Sequence, residues 1–178
     1  RPRKPPSRNR SKKKSPAMTS ADEIRPFLEE QAVIERWRNL ISTTALDSGC
    51  RIWTGAISSK GHGRFWVGQR TDGRDLVMIA HRFGYAVTYG LDALLAADVI
   101  RHLCDEPSCQ TPTHWAAGTA AENTTDWWQR PHTPGSPLRD TRGPRGRAEA
   151  LRTAALTGTN LQTTANTGLP EGDRLQPT

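Results

Sequence analysis

From Asp22 to Ser42 the apolar residues Phe27, Ile34, Trp37 and Ile41, with Leu28, Val33 and Leu40 beside them, recur at helical spacing. This predicts one amphipathic helix packed on a core or a partner, with Pro26 near its first turn. After Cys50 the period shortens. RIWTG, GRFWVG and DLVMIA read as strands, separated by turns at Ser59 to Gly63 and at Thr71 to Gly73. An extended GRFWVGQR puts Arg64, Trp66 and Gly68 on one face and Phe65, Val67 and Gln69 on the other, so arginine could face a duplex. AHRFGYAVTYG follows as a short helix ended by Gly90, and LDALLAADVI leads into a strand ending at His102. Thr119 and Glu122 form a capping box that opens a further helix, TAAENTTDWW.

Beyond Arg130 the pattern fades into Pro, Gly, Thr and Arg, with RAEALRTAAL as one short helix. Few large apolar groups remain there, so a solvated tail is the favoured expectation. Its arginines, Arg139, Arg142, Arg145, Arg147 and Arg152, would alternatively let it lie along DNA. The mixture of elements makes the fold class α+β: a small core with a short antiparallel sheet, flanked by an N-terminal helix and flexible tails. With 178 residues and 34% hydrophobic content, the chain supports one compact domain of about ninety to a hundred residues. The expected division is a basic tail over 1–17, the N-terminal helix over 18–45, the core over 46–132 and an extension over 133–178. No apolar run approaches the length that spans a membrane.

Charge changes this picture at one end. The net charge is +7, yet residues 1–17 hold eight Lys or Arg and no acid, so the rest of the chain is close to neutral. Such a run cannot bury enough apolar surface to fold and would be a disordered arm with affinity for phosphates. The other reading is that it is not part of the natural product, since Met18 would serve as a start.

The chemistry concentrates between Arg101 and Asp126. Cys104, Cys109 and His114 stand at C-x4-C-x4-H, with turn-forming Asp105, Pro107 and Pro112 among them. Cys50 is the one other cysteine, so a Cys3His set leaves no thiol over. Four protein ligands make such a zinc structural, because none of its positions is open to water. Zinc affinity in small domains reaches about 10 to 16 kcal/mol, which rivals the stability of a whole domain. Thiols kept as ligands suit a reducing cytoplasm. A strand carrying His102, a metal-pinned loop and a helix carrying Asn123 would bring a general base and a hard oxygen ligand together. A one-metal nuclease can be built that way.

These residues resemble the His-Me finger (ββα-metal) endonucleases, specifically the HNH-type homing endonucleases of introns and phages with zinc-binding loops. The resemblance rests on Cys50 in GCRIWTGA, on GHGRFW, on AHRFGY, on HLC and PSC around the loop, on Pro112 to His114, and on GTAAEN. It covers about half the chain, from Cys50 to Arg130. Gln110 and Thr111 stand where the family has Asn before the Pro, and Trp115 stands where it has Leu. The resemblance implies His102 as general base and Asn123 as the ligand of one Mg2+ or Mn2+. It also implies Arg64 as a phosphate clamp and His81 as a secondary residue near substrate or water. The expected partner is double-stranded DNA, cut to 5′-phosphate and 3′-hydroxyl ends in the cytoplasm of a bacterial host. Monomer and homodimer both stay open. The alternative is a non-catalytic, zinc-stabilised DNA-binding protein on the same scaffold.

If the tail is native, its eight charges displace counterions without fixed geometry for reading bases. Deleting residues 1–17 is expected to flatten the salt dependence of DNA binding and leave the cleavage pattern alone. A changed pattern would contradict that.

Overall fold

The computed structural model describes residues 21–130 and 133–174, so the basic tail lies outside them. The stripe expected as one helix folds as two, α1 (Ala21–Glu29) and α2 (Gln31–Asn39). Glu30 between them is extended, with φ −88° and ψ 104°, and its carbonyl caps α2 by accepting from the Val33 and Ile34 amides. The break lets Ile24 from one segment and Val33 and Trp37 from the other enter the same core. Pro26 sits inside α1 and not in its first turn. Ile41 leaves the helix altogether, because it pairs with Trp53 in the sheet formed by β1 (Ile41–Ala45) and β2 (Arg51–Trp53).

A second antiparallel sheet runs β3 (Ala56–Ile57), β4 (Gly63–Gln69), β5 (Asp75–Ile79), and it packs on α3 (Ala80–Tyr89), which α4 (Leu91–Ala96) joins from beyond. Alternation along β4 holds as far as Val67: Phe65 and Val67 point inward, Arg64 and Trp66 outward. A register shift between Trp66 and Gly68 then reverses it, burying Gly68 and exposing Gln69. Phe27 of α1 presses so closely on Gly68 that a Cβ would collide with its ring. Trp53, Phe65 and Phe83 meet at the centre, with ring centroids 5.9 and 4.8 Å apart. Each contributes roughly 1.5 to 3 kcal/mol through burial. Gly84 does for α3 what Gly68 does for β4, since Trp37 and Trp115 close over it.

The third sheet is the hairpin of β6 (Val99–His102) and β7 (Trp115–Gly118), whose connection holds the Cys-rich loop. Helix α5 (Ala120–Gln129) follows directly, opened by the expected capping box: Glu122 N donates to Thr119 Oγ1 at 3.2 Å and Thr119 N to Glu122 Oε2 at 2.7 Å. Among the described residues, no helix is long and apolar enough to cross a membrane.

The extension is folded, which corrects the expectation of a flexible tail. Helices α6 (Gly143–Thr157) and α7 (Leu161–Thr167) place Leu151, Ala154, Leu161 and Ala165 against Leu46, Cys50, Ile52 and Cys109 in a second core. Alanine and leucine suffice there because the opposite wall is the Cys-rich loop. The five arginines are likewise committed inside the chain. Arg139 pairs with Asp173, Arg142 with Asp140, Arg145 with Glu149, and Arg152 donates to the Thr54 carbonyl. Arg147, 4% exposed, pairs with Glu106 of the loop at 2.6 Å and with Asp140 at 3.0 Å. Each of the five arginines thus has a partner within the chain.

Removing one member of a buried ion network strands the others. Arg147→Ala is expected to lower stability by about 3 to 5 kcal/mol in urea unfolding. A loss below about 1 kcal/mol, as for a surface pair, would show that the extension is not fastened through this residue.

Candidate metal centre and adjoining cavity

Four side chains from distant positions converge beneath the β6–β7 hairpin. Cys50 precedes β2, Cys104 lies in the turn after β6, Cys109 bridges to Ile52 of β2, and His114 ends a 3-10 turn, Pro112–His114. Their ligand atoms all lie within 4.8 Å of one another. His114 Nδ1 is 3.3 Å from Cys50 Sγ and 3.5 Å from Cys109 Sγ. Tetrahedral zinc with ordinary Zn–S and Zn–N bonds would set those edges at about 3.5 Å. The Thr111 amide also points at Cys109 Sγ, at 3.4 Å. The three thiols are free, and their mutual hydrogen bonds pull Cys50 down while pushing Cys104 up. Crowded this way they shed one proton readily and resist losing the rest, and a divalent cation removes that conflict. The group can therefore hold a metal such as zinc.

The loop orients the residue before it. The strand stops at His102, the Leu103 amide donates to the His114 carbonyl, and Asp105 takes a left-handed φ of 57°. This is the bend needed for His102 and Cys104, two residues apart, to serve different places. His102 Nε2 lies 3.1 Å from the Cys109 carbonyl oxygen. A carbonyl only accepts, so Nε2 carries the proton and Nδ1 is the basic nitrogen. Burial holds His102 down to about 4, so the ring is neutral at pH 7. Trp115 Nε1 donates to the same carbonyl at 3.3 Å. The tryptophan that departs from the family pattern is thus bonded to the group that orients His102.

His102 and Asn123 line one cavity of about 540 Å3, together with Lys60, His62, Asp126 and Trp127. An ion network holds its far wall: Arg130 bonds the His102 carbonyl (3.0 Å), Asp105 (2.9 Å) and Asp126 (2.9 Å), and Arg101 bonds Asp126 (2.7 Å). Helix α5, with Asn123, is thereby tied to the end of β6. Both acids are engaged by arginine through one oxygen each, and the Asn123 side chain on this wall has no hydrogen bond to another described residue.

The other sequence candidates fall elsewhere. Arg64 is exposed on the outer side of β4 and is not among the residues lining the cavity. His81 is 4% exposed and lies behind His102, with ring centroids 4.3 Å apart. Its Nε2 donates to the Ile100 carbonyl at 3.2 Å while Nδ1 is buried without a partner, and burial keeps it well below the usual histidine range. It packs against His102 from behind, off the cavity. Sequence reasoning missed Lys60 and His62. They sit on the β3–β4 turn, closed by Ser58 N donating to the His62 carbonyl at 2.8 Å and by Gly61 at φ 84°. The GHG flanking His62 was the available signal, but which way the turn faces depends on tertiary packing.

Cys109→Ser is expected to lose bound metal and much of the thermal stability, since it removes a ligand at a junction of both sheets and the second core. Metal analysis with a melting curve checks this. A variant with parental metal content and melting temperature would contradict it.

No family model matches the chain, and no solved structure does. It is similar to two proteins of Escherichia phage T7: "Protein 7.7", 36% identical over 77 residues, covering 43% of this chain and 53% of the phage protein, and "Protein 2.8", 37% identical over 79 residues, covering 44% and 49%. The chain spans about half the length of the curated relatives it matches.

Proposed function

We propose that the protein is a metal-dependent DNA endonuclease of the His-Me finger type, acting on phosphodiester bonds with His102 as general base. The observation that carries this reading is the shared cavity of His102 and Asn123. They are delivered by consecutive elements β6, metal loop, β7 and α5, the strand, strand, helix order of a ββα-metal core. In the proposed site zinc fills the Cys3His set and has a purely structural role.

His102 Nδ1 takes a proton from water as the water oxygen bonds to phosphorus. The bond from phosphorus to the 3′ oxygen breaks, leaving 5′-phosphate and, after proton uptake, 3′-hydroxyl. Such a base is worth about 10^2 to 10^4 in rate. Asn123 offers its amide oxygen to Mg2+ or Mn2+, ions that favour oxygen ligands and keep several waters. When bound, that ion supplies charge stabilisation at the leaving oxygen. Lys60, with no ion pair among the described residues, faces the same cavity and takes the phosphate contact first expected of Arg64. Similarity to proteins of Escherichia phage T7 supports a setting inside a phage-infected bacterial host, and double-stranded DNA is the substrate this reading proposes.

The test is cleavage of supercoiled plasmid against Mg2+ concentration, with EDTA as control and metal content and DNA affinity measured alongside. His102→Ala is expected to lose at least about a hundredfold in rate at all Mg2+ concentrations. Asn123→Ala loses activity that higher Mg2+ partly restores. Lys60→Ala slows cleavage by roughly ten- to a hundredfold, and Arg64→Ala has a much smaller effect. A parent that binds DNA but never cuts it would leave the non-catalytic binding protein as the better reading. An unimpaired His102→Ala would remove the base assignment.

A further inference from the structure

Of the six tryptophans, Trp37, Trp53 and Trp115 are buried, Trp66 is exposed but lies under Arg36 and donates to Asp75, and Trp127 and Trp128 stand 54% and 65% exposed. The last two cross edge to face, centroids 4.9 Å apart, at the C-terminal end of α5. Leaving two indoles in water is costly, and nothing in the core uses them. Helix α5 has no buried residue among the described ones, and its other side chains, AAENTTD before and Gln129 after, include no aliphatic group larger than alanine. A protein-binding helix would surround such aromatics with aliphatic side chains. Inside the cavity Trp127 shares the lining with Ile100 and Leu138 but also with His102, Lys60 and Asp126. Indoles on a polar helix at the edge of so mixed a cavity suit a ligand that is itself a polar strand carrying flat aromatic rings.

We propose that Trp127 and Trp128 form a stacking platform for unpaired bases, so that the preferred substrate is DNA whose nucleotides beside the scissile bond are single-stranded or unpaired. This rests on the nuclease reading and names its substrate more closely. Trp127 lines the same cavity as His102 and Asn123 and follows Asn123 by four residues, one turn or about 6 Å along the helix. A phosphodiester at Asn123 therefore puts a neighbouring base within reach of the indoles. Lys60 supplies cationic charge on the same cavity for the strand's phosphates. Base faces are hidden in an intact duplex, where the grooves expose only edges, while an unpaired base offers its face to any aromatic ring.

The experiment uses the full chain with Ca2+ replacing Mg2+, titrated with oligothymidylate of about 20 nucleotides and with a duplex of equal length. Tryptophan fluorescence and anisotropy are the readouts. The single strand is expected to quench fluorescence and bind at least about tenfold more tightly than the duplex. In Trp127→Ala/Trp128→Ala the quenching disappears and single-strand affinity falls about tenfold or more, with metal content and melting temperature kept. Trp127→Phe/Trp128→Phe, which keeps flat rings, retains most of the affinity. Equal binding of duplex and single strand by the parent, or undiminished quenching in the alanine variant, overturns the platform. So does a parental dimer by light scattering that becomes monomeric in the alanine variant, because the occupant is then a second copy. Plasmid cleavage with Mg2+ separates the two readings. A parent that cuts but shows no preference sinks only the platform; one that quenches on the single strand but never cuts sinks only the nuclease.

Discussion

Three thiols and an imidazole, drawn from positions up to 64 residues apart, lie close enough to share one ion. Without a cation the thiols oppose one another's ionisation; with one, the same crowding becomes a strong bond between the β1–β2 hairpin and the β6–β7 hairpin. Around this junction the second core of Leu46, Ile52, Leu151 and Leu161 closes. The buried Arg147 then ties Glu106 of the loop to Asp140. The small sheets hold two or three strands each, and a two-stranded ribbon alone is marginal in water. The aromatic core and this network hold them in place, and a metal bound by the Cys3His group would add a further tie.

The centre reaches the proposed chemistry through a single atom. The Cys109 carbonyl oxygen accepts from His102 Nε2 and from Trp115 Nε1, so the ligand that closes the fold also sets which histidine nitrogen is basic. On the other wall Arg130 bonds the His102 carbonyl, Asp105 of the Cys-rich loop and Asp126 of the helix that carries Asn123. His102 and Asn123 are thus held from two sides of one cavity. His81 closes the space behind His102, in neutral form, where a charged ring would be costly.

The convergence of the three cysteines with His114, the capping box at Thr119 and the placement of His102 and Asn123 on one cavity were legible because their signals are carried mostly by the short stretch from Arg101 to Asp126. What was not legible depends on packing between distant segments. The break at Glu30 follows from two helices sharing one core, and the reversal after Val67 follows from Phe27 pressing on Gly68. The extension reads as a tail by composition, yet its alanines and leucines complete the far side of the Cys-rich loop, and Arg139, Arg142, Arg145 and Arg147 find acids within the chain. Arg64 lies off the cavity and Lys60 on it for the same reason: strand alternation says which residues share a face, not which face meets the cavity.

The central claim is that one zinc ion, held by Cys50, Cys104, Cys109 and His114, organises both the fold and the orientation of His102. X-ray absorption at the zinc edge of the purified protein tests it most directly. The account predicts three sulfur neighbours at about 2.3 Å and one nitrogen at about 2.0 Å, with no exchangeable oxygen in the shell. A shell of oxygen and nitrogen alone, or a chain that folds without binding zinc, would contradict it.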